Sequence, residues 1–403
     1  MTSRLLRSAG LLCCSLLPDQ AVAAHFRQQL QWQLGWVPQL QQGQHRLRYE
    51  NDIQFELNTH WQLTTAVRLQ QDSVQQESAA AGWWGSTRPA FFSLQQFRLK
   101  YQHEQHSLTL GRQIIDWRQT DTVSVADVWT VPDQQDLTGT AQQAQPALRW
   151  VWHANVDQPA LELVYSPAAV APWLPDGLFT LQRPALSKRP EQAQLGVRLT
   201  QTQGAVQWSL FGYDGVDLLP ALLPVAAQLD WFYPAQQVVG ATAQSQSGSW
   251  LWRAELAEVH QQLSARATSE SQHGRYWQYV VAAEREWYGE QSQWLLLLQY
   301  SDESRRQLMP VASLYPDFGR VFRRQLLGRL QYDPTGELQT QYQLEWAWQP
   351  AQQASVVKLR YQTRLNPQTE LQLSWTAFSG SEHSVWGQYR QQDLWQLALQ
   401  WFF

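Results

Sequence analysis

The sequence predicts an all-β fold, an antiparallel up-and-down barrel that crosses a membrane with strands. Three observations predict it. From residue 28 onward, apolar side chains recur at every second position in segments of roughly ten residues, the length a tilted strand needs to cross a bilayer. Short turns rich in Gly, Pro, Asn and Asp alternate with long connections, as a barrel with one short-turned and one long-looped end requires. The composition joins 23 Trp and 14 Tyr to only 16% charged residues, which suits two aromatic girdles around a half-wet set of strands.

Taken in order, the first stretch reads as an export address. Arg4 and Arg7 precede an apolar core from Ala9 to Leu17, and Ala21-Val22-Ala23 offers a small-residue cleavage site, so residues 1–24 are expected to be a signal peptide and 25–403 the barrel. Cys13 and Cys14, the two cysteines, both lie in that segment, and the mature protein is expected to hold together without a disulfide. Leu30, Trp32, Leu34 and Trp36 then begin the strands. Leu47 to Leu57 and Trp61 to Leu69 continue them, followed by Leu148, Trp150 and Trp152, then Leu161, Leu163 and Tyr165. Leu195 to Leu199, Val206 to Leu210, Trp250 to Leu256 and Trp294 to Tyr300 keep the same period, as do the segments from Leu326 to Trp375. The last one, with Trp395, Leu397, Leu399, Trp401 and Phe403 in phase, is the expected closing strand.

Seven short turns include Asn58-Thr59-His60, Gln203-Gly204 and Asn366-Pro367, and long connections lie near 71–90, 116–146, 168–190, 214–235, 260–274, 302–320 and 379–390. Both ends on one side demand an even strand count. Counting the segment 28–36 as ascending gives about 18 strands, with about 16 as the second choice. A mean hydropathy of −0.45 and the lack of an apolar run of about 18 residues exclude a membrane helix. The terminal Phe403 with Trp401 and Leu399 before it resembles the C-terminal signature of bacterial outer-membrane proteins, which implies handling by the barrel-assembly machinery and residence among outer-membrane lipid and lipopolysaccharide.

Alternation assigns the lumen too. With the apolar sets outward, Arg46, Arg48, Arg68, Arg98, Lys100, Arg149, Arg198, Arg253, Arg329, Lys358 and Arg360 point inward, against Glu50, Glu56, Glu162, Glu255 and Glu345. That excess of cations would draw anions into a wet lumen, or the groups would pair and rigidify a narrow one. A long connection from 116 to 146 carries Asp116, Asp121, Asp127, Asp133 and Asp136 and reads as short of apolar residues. Folded inward, it is expected to form a pore constriction with Arg98, Lys100, Arg112 and Arg149, although Arg112 shares the phase of Leu108 and Leu110 unless a bulge at Gly111 resets the register. Two apolar connections, Ala168 to Phe179 and Val216 to Ala227, are expected to cap the barrel as short broken helices or to meet a hydrophobic cargo.

Gly111-Arg112-Gln113-Ile114-Ile115-Asp116-Trp117 and the Asp- and Pro-bearing loop after it, with Leu161-Glu162-Leu163-Val164 beyond, resemble the porin-like alginate-export-like barrels of proteobacteria and relatives that accompany inner-membrane exporters. The resemblance covers residues 95–180 and the C-terminus, and Arg118 stands where that group has Gly. It implies an outer-membrane channel, or a partner of an inner-membrane exporter that handles a hydrophobic molecule. Scattered histidines such as His60, His153 and His383, with no metal-ligand spacing, no nucleophile elbow and no phosphate loop, give no expectation of an enzyme, a metal or another cofactor. A net charge of −4 leaves no footprint for nucleic acid.

Overall fold

The computed structural model describes residues 23–74, 78–81, 83–86, 88–133, 135, 141–154, 159–173, 189–225, 228–263, 272–304, 324–334, 339–382, 384 and 386–403. The expected signal peptide up to Val22, together with Asp136 and His383, lies outside the described residues. Eighteen antiparallel strands close into one barrel. They are β1 (Ala23–Val37), β2 (Gln42–Glu56), β3 (Trp61–Asp72), β4 (Ala90–His103), β5 (His106–Gln113) and β6 (Gln145–His153). Next come β7 (Ala160–Ser166), β8 (Gln194–Gln203), β9 (Val206–Val216), β10 (Ala235–Ser247), β11 (Trp250–Leu263) and β12 (Gln272–Gly289). The ring is completed by β13 (Ser292–Glu303), β14 (Gln325–Pro334), β15 (Thr340–Gln349), β16 (Ala354–Asn366), β17 (Thr369–Ser379) and β18 (Leu394–Phe402).

Closure is made where the ends of the strand series meet. β18 pairs with β1 from Gln29↔Phe402 to Trp36↔Trp395, and the Phe403 N–H donates to the Gln28 carbonyl at 3.0 Å. A closed ring leaves no unpaired edge, which is the condition for a sheet to sit in hydrocarbon. The side chains follow the alternation. Along β17, Leu373 is 43% exposed while its neighbours Ser374 and Thr376 are 5% and 1% exposed, so lipid-facing and lumen-facing positions trade places at each step. Outward aromatics collect at two levels. Near the short-turned end Trp287, Trp294, Tyr332, Tyr342 and Tyr361 form a ladder of ring contacts across β12 to β16, and near the other end Trp36, Trp375 and Trp395 lie side by side. The barrel is therefore an outer-membrane one, with the short turns on the periplasmic side.

Two outer connections are short. Pro38–Leu40 and Pro350–Gln352 are single 3-10 turns, each opened by a proline and closed by a glutamine in the left-handed region, Gln41 at φ 51° and Gln353 at φ 48°. The apolar connection after β9 is not a broken helix. Pro220 and Pro224 bar a continuous helix, and Ala221–Val225 pairs with Gln228–Phe232 as a small hairpin. Its neighbour Leu218 packs with Val216, Val131, Ala169 and Val170, and residues 174–179 of the other apolar connection lie outside the described residues.

An arginine at the outward Leu373 is expected to cost about 2–4 kcal/mol of folding into bilayers, whereas one at the adjacent lumen-facing Gln372 is tolerated. Urea titration of refolding into lipid vesicles, read by heat-modifiable gel mobility, measures the difference.

Candidate functional site

The lumen is crossed by the connection between β5 and β6. Gly111, at φ +127°, lies against the Phe97 carbonyl of β4, and the loop leaves the wall once β5 ends at Gln113. Ile115, Trp117, Val123, Val125, Val128 and Trp129 are then all buried among inward-facing wall residues such as Val164, Phe211, Tyr213 and Val238. The loop is thus not short of apolar side chains; its valines and tryptophans are spaced irregularly, so that no period marks them in the sequence. Trp117 and Trp129 meet edge to face at 5.9 Å and contact Phe211 and Tyr213 in the same way. They fit there because Gly196 of β8 has no side chain: a Cβ on it would sit 2.6 Å from Trp117.

The far end of the loop is held by Glu255, which β11 points into the lumen and buries to 3% exposure. Its carboxylate accepts from the N–H groups of Gln119 (3.1 Å), Thr120 (2.9 Å) and Val125 (2.6 Å) and from the hydroxyls of Thr120 (3.0 Å) and Ser124 (2.7 Å). Next to it, Gln299 of β13 donates to the Val123 carbonyl at 2.6 Å. Strand β13 is eight places from β5 in a ring of 18, so the loop spans the barrel nearly from wall to wall. Backbone amides converging on a buried carboxylate supply the charge-assisted bonds that a buried anion needs when no cation pairs with it.

The expected constriction residues separate into groups. Asp133 is buried and pairs with Arg68 of β3 at 3.2 Å, while Asp121 lies 3.9 Å from Arg329 of β14 on the opposite wall. Asp116 forms a bidentate pair with Arg118 of the loop itself, at 2.7 and 2.9 Å. Burial raises the Asp116 carboxyl, but the hydrogen bonds and charge of Arg118 outweigh this and hold it below the usual carboxylate range. Asp127 behaves oppositely: burial pushes it up to about 6, Glu255 and Asp116 add to the rise, and Thr130 and Arg118 only partly offset it. Asp136 lies outside the described residues.

Of the expected basic members, Arg98, Lys100 and Arg149 come together with Arg198 below the loop, around a recess of about 360 Å³ on the periplasmic side. Glu162 pairs there with Arg149 (2.6 Å) and Arg198 (2.8 Å) and accepts the Trp117 indole N–H at 3.0 Å, tying the loop to the recess. Among the described residues neither Arg98 nor Lys100 has a carboxylate partner. Arg112 is not in this group. The strand keeps its register through Gly111, so Arg112 pairs with Phe97 and Pro146 in the outward phase, where its guanidinium donates to the Trp83 carbonyl at 2.8 Å. Reading the sequence placed Glu255 in the lumen but missed its role, because a single glutamate among alternating residues carries no sign of the loop that will reach it. The closing residues Leu399 and Trp401 face Trp32 and Leu30 of β1.

No protein-family model and no curated protein matches the chain. Solved structures do. The chain is similar to a BenF-like porin from Pseudomonas fluorescens Pf-5, over 96% of this chain and 99% of that one, with a TM-score of 0.53 at 10% identity. OpdK from Pseudomonas aeruginosa, solved with vanillate, aligns over 96% and 99% with a TM-score of 0.52 at 11% identity. OccD3 (OpdP) from Pseudomonas aeruginosa aligns over 94% and 91% with a TM-score of 0.52 at 8% identity. The likeness is one of fold, that of porin-like outer-membrane barrels, and the narrower resemblance to alginate-export-like barrels rests on the sequence of residues 95–180 and the C-terminus.

Replacing Glu255 by Ala leaves buried N–H donors unpaired at about 1–3 kcal/mol each, and the loop is expected to detach. Planar-bilayer recording should then show a larger and noisier conductance. Protonation of Asp127 is expected to steady the loop. Its folded-state value is raised to about 6 from 3.8, so the contribution is full below the lower value and is lost as pH rises through the upper one. Gating noise should therefore increase from pH 4 to pH 7 in the wild type and stay flat in Asp127→Asn.

Proposed function

We propose that the chain is an outer-membrane channel for small anionic or amphipathic solutes, selecting by width and charge with no chemical step and no cofactor. The observation that carries this reading is the recess beneath the loop, where Arg98, Lys100, Arg149 and Arg198 converge and Glu162 is already engaged by two of them. A cluster of cations in a lumen with low-dielectric walls focuses the field on passing anions and raises their local concentration. OpdK, of the same fold, was solved with vanillate, a small carboxylate, and a solute of that kind is the class proposed for this chain. The loop from 116 to 146 is proposed as the constriction, with Asp121 on its accessible side and Asp116 and Asp133 fixing its shape. Outer-membrane lipid and lipopolysaccharide are the proposed surroundings, and the barrel-assembly machinery the proposed route of insertion through Phe403, Trp401 and Leu399.

The other reading, a partner of an inner-membrane exporter that holds a hydrophobic molecule, would call for free apolar surface in the lumen. Among the described residues, Val131, Val170, Val216 and Leu218 at the outer end of the lumen are each no more than 5% exposed and are spent on packing with one another.

Reversal potentials in a salt gradient test the proposal. Wild type is expected to prefer anions; the double variant Arg98→Glu with Lys100→Glu should move the preference toward cations, and Asp121→Lys should strengthen the anion preference. Unchanged potentials in both variants, or a silent barrel that co-purifies with lipid, would remove the channel reading.

A further inference from the structure

The outer face of the barrel is not uniform. Across β10 to β14 small residues interrupt the apolar lipid-facing side chains: Ala243 pairs with Ala254, Ala283 lies between Trp252 and Leu298, and Gly328 lies between Leu298 and Trp346, so that the small positions are overlooked by Trp252 and Trp346. The Trp346 ring lies directly over Gly328, where no Cβ would fit. The result is an apolar groove of about 690 Å³ sunk into the wall, in the band between the two aromatic girdles.

The periplasmic end of the groove carries a cation. Arg285 faces outward on β12, one outward position below Ala283 and one above Trp287 of the aromatic ladder. Its guanidinium stands 5.3 Å from the Trp250 ring, and Trp250 stacks on the groove wall Trp252 at 5.7 Å. Among the described residues no carboxylate pairs with Arg285. By contrast Arg275, the outward arginine nearer the other end of β12, is paired with Glu258. An unpaired arginine on a lipid face is costly at the bilayer centre but favourable where its head reaches phosphate at the interface.

The geometry points to a site for one glycerophospholipid of the periplasmic leaflet, an acyl chain in the groove between Trp252 and Trp346 and its phosphate on Arg285. The charge of Arg285 selects this occupant over a second barrel, since no acidic residue on the described outer face of β10 to β15 awaits it at that depth. The site is independent of the lumen.

Native mass spectrometry of the detergent-purified barrel with added palmitoyl-oleoyl-phosphatidylglycerol tests it. The wild type should keep one lipid under collisional activation that strips bulk detergent. Arg285→Ala should lower the retained fraction about fivefold, the loss of one interfacial phosphate contact, and Ala283→Trp, which fills the groove, should abolish it. Leu163→Trp, an outward position on β7, serves as the control and should behave as wild type. All the variants lie on the outer face, and heat-modifiable mobility verifies that each is folded; Arg285→Lys, which keeps the charge, should retain the lipid even if Ala283→Trp fails to fold. Retention that is equal in wild type, Arg285→Ala and the control would overturn the site. So would a wild-type dimer or trimer mass that Ala283→Trp reduces to monomer, because the groove would then seat another copy of this chain.

Discussion

A buried carboxylate facing backbone amides holds the interior of this barrel in place. Glu255 has no cation beside it in the hydrogen-bonded set; instead three N–H groups and two hydroxyls of residues 119–125 point at its oxygens. A carboxylate left without them would be expensive to bury, and the amides left without it would be orphaned. Each side therefore fixes the other. Because Glu255 sits on β11, five strands round the ring from β6 and six from β5, the interaction fixes a bridge across the lumen rather than a local turn. The edge-to-face tryptophans over Gly196 and the indole bond to Glu162 secure the near half of that bridge.

The bridge divides the interior into regions of different chemistry. Toward the outer end, lumen-facing positions on seven strands are glutamines: Gln70, Gln113, Gln145, Gln194, Gln299, Gln325 and Gln349, all less than 2% exposed. Several of them bond to chain that passes over them, Gln145 to the Trp129 carbonyl and Gln299 to that of Val123. Amides can donate and accept without a charge to desolvate, so they tie loops to walls at a cost that burying ion pairs would exceed. Toward the periplasmic end the same phase of the strands carries arginine, lysine and glutamate around open space. The outer half is built as a packed body and the inner half as a charged vestibule.

Much of this was legible before any coordinates. The period of two marked most of the lipid face and most of the lumen, and parity made about 18 strands the first choice, the number the ring contains. The inward placement of Arg98, Lys100, Arg149 and Glu255 followed from the same phase. Where the reading went astray, periodicity was absent or ambiguous. The apolar residues of the 114–144 connection have no period, so its packed core was not seen; the run from Val216 to Ala227 is apolar without alternation, so a hairpin was taken for a helix; and Arg112 had two possible phases on either side of Gly111.

The sequence by itself determined the barrel, because alternation is a local property: each strand's two faces are set by its own residues, and closure needs only enough of them. The partners of the loop were decided by the tertiary structure. Asp121 meets Arg329 and Asp133 meets Arg68 on opposite walls because the chain between them is carried across the lumen, and Thr120 meets Glu255 across more than a hundred intervening residues. No local pattern encodes such pairs; they exist only once the ring has closed and given the loop a far wall to reach.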